Sequence, residues 1–328
     1  MKISLGVPPG PNVPALAARA EALGYDRIWL FDSPALYEDI WIHLALIAEC
    51  TERIGIGTAV LVPSLRHVMT TASAILTIER LAPGRLACAV GTGYTARMVM
   101  GKKALSWATT RAWIEQLQGL LRGEVVQIDG NRCQLIHREE LAIQRPVSVP
   151  ILLSAWGPKG VAITREIAGG WMGSEPIPEG FDWAVQMVNG AVLAPGETAN
   201  ARTAIEGVGP YHAQIYHDVW ESDPASLSEV TGGPEWIAQI ESERPPEERH
   251  LAVHSGHLSH LSVADRKALE AHDGEIPWYA WVCGKEETLE KARAAEAGGA
   301  TELLYLPAGD NLIELAERFH DAVSPVQG

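Results

Sequence analysis

The chain has 328 residues, 47% hydrophobic and 20% charged, with 41 acidic against 26 basic side chains for a net charge of -15. That length holds one large α/β barrel or two ordinary domains, and the acidic balance excludes the clustered Lys and Arg that a nucleic-acid backbone requires. No run approaches the ~18 apolar residues of a membrane span.

Four scattered cysteines (Cys50, Cys88, Cys133 and Cys283) contain no C-x-x-C pair, and the first residues run too soon into Pro8-Pro9-Gly10-Pro11 to read as a signal sequence. A reduced, cytoplasmic protein is expected.

Strand and helix signals alternate from the start. Residues 2–7 read as a strand. Asn12 opens a helix that Gly24 ends, residues 27–31 form a second strand finishing at Asp32, and residues 39–50 a second helix. Residues 54–62 are an apolar, β-branched run stopped by Pro63, and residues 85–90 are another, closed by Gly91-Thr92-Gly93. The helix between them, 67–81, ends at Leu81-Ala82-Pro83-Gly84. Such a crossover is right-handed, so both loops emerge at the carboxyl ends of the strands, the rim where α/β folds bind ligands.

Further along, residues 107–121 are helical and 125–135 form a hairpin around Asp129-Gly130-Asn131. Residues 151–154 and 171–173 are strands flanking a helix at 158–168 with proline in its first turn. Residues 181–190 read as a helix and 191–193 as a short strand. Residues 195–275 read as irregular helical material. Regularity returns with a strand at 278–282, a helix at 286–297, a strand at 302–306 and a helix at 312–323. The count is about eight strand-helix units: one TIM (β/α)8 barrel domain over 1–328, with a helical insertion at about 195–276, before the last strand.

The runs Gly24-Tyr25-Asp26-Arg27-Ile28-Trp29 leading to Asp32, Ile56 through Pro63, Arg66-His67, Leu81 through Leu86, Ala89 through Gly93, and Ser154 through Lys159 occur in order. In these the chain resembles the bacterial luciferase-like (β/α)8 family, in the branch that uses the deazaflavin coenzyme F420. The resemblance implies a non-prolyl cis peptide at Ala59-Val60, pressed with Val62 against the cofactor ring, and a Gly91-Thr92-Gly93 loop beside that ring. FMN enzymes of this family often bring an arginine to the phosphate near the fourth strand. None stands at Gly91 to Gly93, which favours F420 over FMN. The family's sugar-phosphate dehydrogenases carry His after the strand-two aspartate and Glu after the Gly-Thr-Gly loop. Ser33 and Tyr94 stand there, which speaks against sugar oxidation. Family members also commonly pair through helices two and three, which implies a homodimer with His43, Leu44 and Ile47 on an apolar face.

Independently of resemblance, Ser154-Ala155-Trp156-Gly157 ends a strand and starts a helix whose free N–H groups suit a cofactor phosphate. Lys159 adds charge there or is simply solvated. Tyr94, at a loop tip, is the first candidate proton donor, or else a pocket wall. Asp32 either hydrogen-bonds the cofactor or caps a helix before Pro34, and Glu175 contacts substrate or cofactor or is merely solvated. His67 reads as a helix-start residue. Trp107, Trp156 and Trp278 either wall a flat pocket or pack in the core.

His254, His257 and His260 invite a zinc reading, against which stand the interposed Gly256 and the lack of a nearby carboxylate motif. The leading expectation is hydride transfer between deazaflavin C5 and a small organic substrate, reducing an activated C=C or C=N bond. The alternatives are an FMN-dependent monooxygenase served by a partner reductase, and a non-catalytic ligand-binding barrel.

Overall fold

The computed structural model describes residues 1–272 and 276–328, so residues 273–275 of the expected insertion lie outside the described residues. In chain order its strands are β1 (Lys2–Val7), β2 (Arg27–Leu30), β3 (Gly55–Leu61), β4 (Leu86–Val90), β5 (Val126–Ile128), β6 (Asn131–Cys133), β7 (Ile151–Ser154), β8 (Gly170–Gly173), β9 (Ala184–Leu193), β10 (Trp281–Gly284) and β11 (Glu302–Leu306). All but β5, β6 and β10 close a parallel (β/α)8 barrel, in which β8 pairs with β9, β9 with β11, and β11 with β1. β5 and β6 are the expected hairpin, turned by Asp129 and Gly130 at positive φ.

Barrel strands are mostly apolar because both faces are covered. On β2, Ile28 and Leu30 pack outward against the helices while Trp29 points inward, and on β4 Ala87 and Ala89 point inward between Leu86, Cys88 and Val90. The amino-terminal end of the barrel is plugged. There the buried Glu302 carboxylate accepts from Ser4 Oγ, Trp29 Nε1 and Trp183 Nε1. The carboxyl rim is left as the usable end.

Two expectations are corrected here. Residues 181–190 do not form a helix: β9 is one ten-residue strand, of which 191–193 is only the end. An apolar run covered on both faces has no alternation to separate strand from helix. The strand expected at 278–282 is observed as β10, outside the barrel and paired with the far end of β9 through Trp281 and Gly190.

Between β9 and β10 the helices Arg202–His212, Gln214–Ser222, Gly233–Glu243, Arg249–Val253 and Val263–Glu270 build a core of their own around Tyr216, Trp236, Ile240 and Val253. The barrel rim is tied to this insertion by Tyr37, whose hydroxyl donates to the His257 carbonyl at 2.5 Å. No helix among the described residues is long and apolar enough to cross a membrane.

Candidate active site

The β3–β4 register shifts between Thr58 and Leu61, and within that bulge the Ala59–Val60 peptide is cis, as the resemblance implied. The bulge turns Ala59 and Val60 toward the rim, where they line a cavity of about 170 Å³ together with Val62, Gly93 and Tyr94. Phe31, Asp32, Ser33 and Tyr37 wall one side. Met187, Leu304 and Leu306 come from the last barrel strands, and Tyr211 and Leu258 from the insertion. The cavity is mostly apolar, with polar groups at one edge, as expected of a site for a flat heteroaromatic ligand.

The glycines of the β4 loop are demanded by this packing. A Cβ on Gly91 would stand 2.7 Å from Val60 Cγ2, and one on Gly93, where φ is +82°, would stand 2.4 Å from Val62 Cγ1. Arg97, four residues on, reaches back to Ser64 Oγ at 2.6 Å and to the Lys103 carbonyl. It thereby ties the β3 and β4 loops together.

Asp32 is buried, with 5% exposure. Both of its carboxylate oxygens accept from Arg66 Nη1, at 2.8 and 2.7 Å, and Arg66 Nη2 also donates to Asp39 at 2.7 Å. Burial raises the Asp32 carboxyl above its ordinary range, and the Arg66 pair only partly offsets this. Asp32 therefore caps no helix; that task falls to Asp39, whose side chain accepts from Trp41 and Ile42 N–H. His67 caps its helix through Nδ1, accepting from Met69 N–H.

The Tyr94 hydroxyl donates to Asp218 Oδ1 at 3.0 Å. Burial and the adjacent carboxylate raise the phenol above its ordinary value, so it keeps its proton at neutral pH. Burial also raises Asp218, against the hydrogen bond from Tyr94. Tyr211, on the opposite wall, is buried and its hydroxyl has no partner among the described residues. Tyr211, Asp218, Tyr37 and Arg66 were not singled out as site residues from sequence. For the insertion residues no spacing signal exists, because their positions depend on how the insertion folds back.

Other candidates stand elsewhere. Glu175 Oε1 accepts from Gln186 Nε2 at 2.7 Å and does not line the cavity. Ser154, Ala155, Trp156 and Gly157 are off the cavity wall as well, although Ser154 Cβ would lie 3.8 Å from a Cβ on Gly91. They run from the end of β7 to the N-cap of the helix Pro158–Ile167, which among the described residues has no side-chain cap and nothing within 4 Å of a Cβ on Gly157. That open helix start fits a phosphate, and the cavity beside the β3 bulge fits a tricyclic ring.

None of the three tryptophans walls the cavity. Trp107 packs against Gly160, Trp156 is 64% exposed, and Trp278 donates to the Ala199 carbonyl. His260 is exposed beside Asp310, whereas His254 and His257 are buried against His217.

The family model for luciferase-like monooxygenases matches residues 3–241. The chain belongs to that family. Among its relatives are a 5,10-methylenetetrahydromethanopterin reductase of Methanolobus tindarius, 30% identical over 57% of this chain and 58% of that protein, and an F420-dependent glucose-6-phosphate dehydrogenase of Beutenbergia cavernae, 32% identical over 48% and 51%. The matched part thus spans little more than half the length of these relatives. The coenzyme F420-dependent tetrahydromethanopterin reductase of Methanopyrus kandleri superposes with a TM-score of 0.65 over 100% of this chain and 99% of its own, at 17% identity, a likeness of fold.

Proposed function

We propose that this luciferase-like barrel is an F420-dependent oxidoreductase that reduces an activated C=C or C=N bond of a small organic substrate. The reading rests on one observation: an apolar cavity at the carboxyl rim, floored by the β3 bulge and edged by the buried Asp32, which Arg66 holds. The F420-dependent glucose-6-phosphate dehydrogenase among its relatives supports it, as does a putative coenzyme F420-dependent oxidoreductase of Mycobacterium tuberculosis. Bound F420 would supply or accept a hydride at C5.

Ala59, Val60 and Val62 hold one face of the ring, and Gly91, Thr92 and Gly93 let the β4 loop close against its edge. Asp32, oriented by Arg66, accepts a hydrogen bond from the ring system. Ser154 through Gly157 present the open helix start to the phosphate. Tyr94, paired to Asp218, delivers the proton to the developing anion, and the unpartnered Tyr211 hydroxyl orients the substrate. The protein acts as a cytoplasmic homodimer, one domain over 1–328 whose insertion shapes the substrate end of the cavity.

Titration by fluorescence quenching with F420 and with FMN, followed by turnover of each reduced cofactor under air and under argon, tests the reading. F420 is expected to bind tighter and to turn over without oxygen, and Tyr94→Phe to lower turnover by about 100-fold while leaving cofactor affinity nearly unchanged. Preference for FMN with oxygen consumption would make the protein a monooxygenase. Binding of neither would leave a non-catalytic barrel.

A further inference from the structure

We propose that His217, His254 and His257 form a site for one zinc-like divalent transition ion, bound through Nδ1 of each imidazole. The three rings come from the helix Gln214–Ser222 and from the segment following Arg249–Val253, and each is 1% exposed. One ring nitrogen from each lies within 4.8 Å of the other two.

What distinguishes this cluster from three buried core histidines is the use made of the opposite nitrogens. His217 Nε2 faces Asp265 Oδ1 at 3.2 Å, His254 Nε2 faces Glu221 Oε1 at 3.1 Å, and His257 Nε2 faces Thr95 Oγ1 at 3.2 Å. Outer acceptors on Nε2 are what fixes the tautomer of metal-ligating histidines and turns the Nδ1 lone pairs inward. Two of these acceptors are carboxylates, which balance the charge of a buried divalent ion. Asp265 is itself held by Trp236 Nε1 at 2.9 Å and by a capping box with Ser262. The third Nδ1, on His254, is buried and has no hydrogen-bond partner among the described residues.

Without an ion, His217 and His257 share a hydrogen bond, their Nδ1 atoms 2.6 Å apart. Asp265 accepts from His217 Nε2–H, so His257 carries the Nδ1 proton and its Nε2 accepts from the Thr95 hydroxyl. Metal binding opens the pair to about 3.3 Å, the nitrogen separation of a tetrahedral ion with ~2.05 Å bonds. The His257 proton moves from Nδ1 to Nε2 and the Thr95 hydroxyl becomes the acceptor, with no net change in proton count. Because Thr95 also lines the rim cavity, the ion would pin the insertion onto the β4 loop. His260 takes no part. The signal absent from the H-x-x-H-x-x-H string is His217, some forty residues upstream, with one carboxylate, Glu221, from its own helix and the other, Asp265, from the helix Val263–Glu270.

The full chain, stripped with a chelator and dialysed into metal-free buffer, is titrated with Co2+ while visible d–d absorption is recorded, and Zn2+ is then added. The expected result is one equivalent of tetrahedral Co2+ per chain, displaced by Zn2+. His254→Ala should lose the bands, Asp265→Asn should weaken binding about 10- to 100-fold, and His260→Ala should bind as wild type. Failure of the folded wild-type chain to develop these bands overturns the site, as do bands that persist unchanged in His254→Ala. The wild-type titration decides even where a variant does not fold.

Discussion

Asp32 shows how far a single side chain can be read in advance. Its place at the end of β2 marks it as a rim residue, but nothing in the local sequence says that Arg66 rather than solvent or a ligand will hold both of its oxygens. Pairs between loops of different strands become visible only once the barrel closes. A second residue of this kind is His212, buried at the root of the insertion, stacked on Tyr279 and edge-on to Trp278. Burial, with His272 nearby, lowers it to about 4. The unfolded chain takes up a proton near pH 6.5 that the native imidazole refuses, so its contribution to stability is complete above that pH. It is lost as pH falls from 6.5 toward 4, by about 1.4 kcal/mol per pH unit at most. Urea unfolding at pH 7.5 and 5.5 should show this loss in the wild type, and His212→Phe should remove about that much of the difference between the two pH values.

At the scale of elements, the end of β3 and the β4 loop are one unit, since Gly91 is matched to Val60 of the bulge and Gly93 to Val62 just beyond it. Gly93→Ala would place a methyl group against Val62 at a left-handed φ, at a cost of about 1 to 3 kcal/mol. Thermal unfolding should register that cost, and F420 quenching should show roughly tenfold weaker binding. Both strands, both loops and the helix between them were legible in the sequence, because strand ends, Gly-Thr-Gly and Pro-Gly are local signals. β9 was not. AVQMVNGAVL carries only Gln186 and Asn189 as polar side chains, without the alternation of a half-exposed strand, and its neighbours β8 and β11 decide that it is extended. The insertion was legible as helical but not as a source of Tyr211 and Asp218, which reach the site through tertiary packing.

For the whole molecule, the expected pairing face needs different residues. His43, Leu44 and Ile47 on the helix Ile40–Cys50 are buried, and the apolar side chains left exposed there are Ile42 and Leu46, at 63% and 46%. If this helix carries the homodimer, Ile42→Glu with Leu46→Glu should halve the mass seen by light scattering while leaving the far-UV circular dichroism unchanged. An unchanged mass would place the contact elsewhere or make the protein a monomer.

β9 has a double allegiance. Its first half seals the barrel between β8 and β11, and its last four residues host β10, so everything from 194 to 280 departs and rejoins within the length of Gly190–Leu193. Such a segment is a cassette: exchanging it for that of another barrel would change what is admitted to the rim cavity from above without disturbing the staves that floor it.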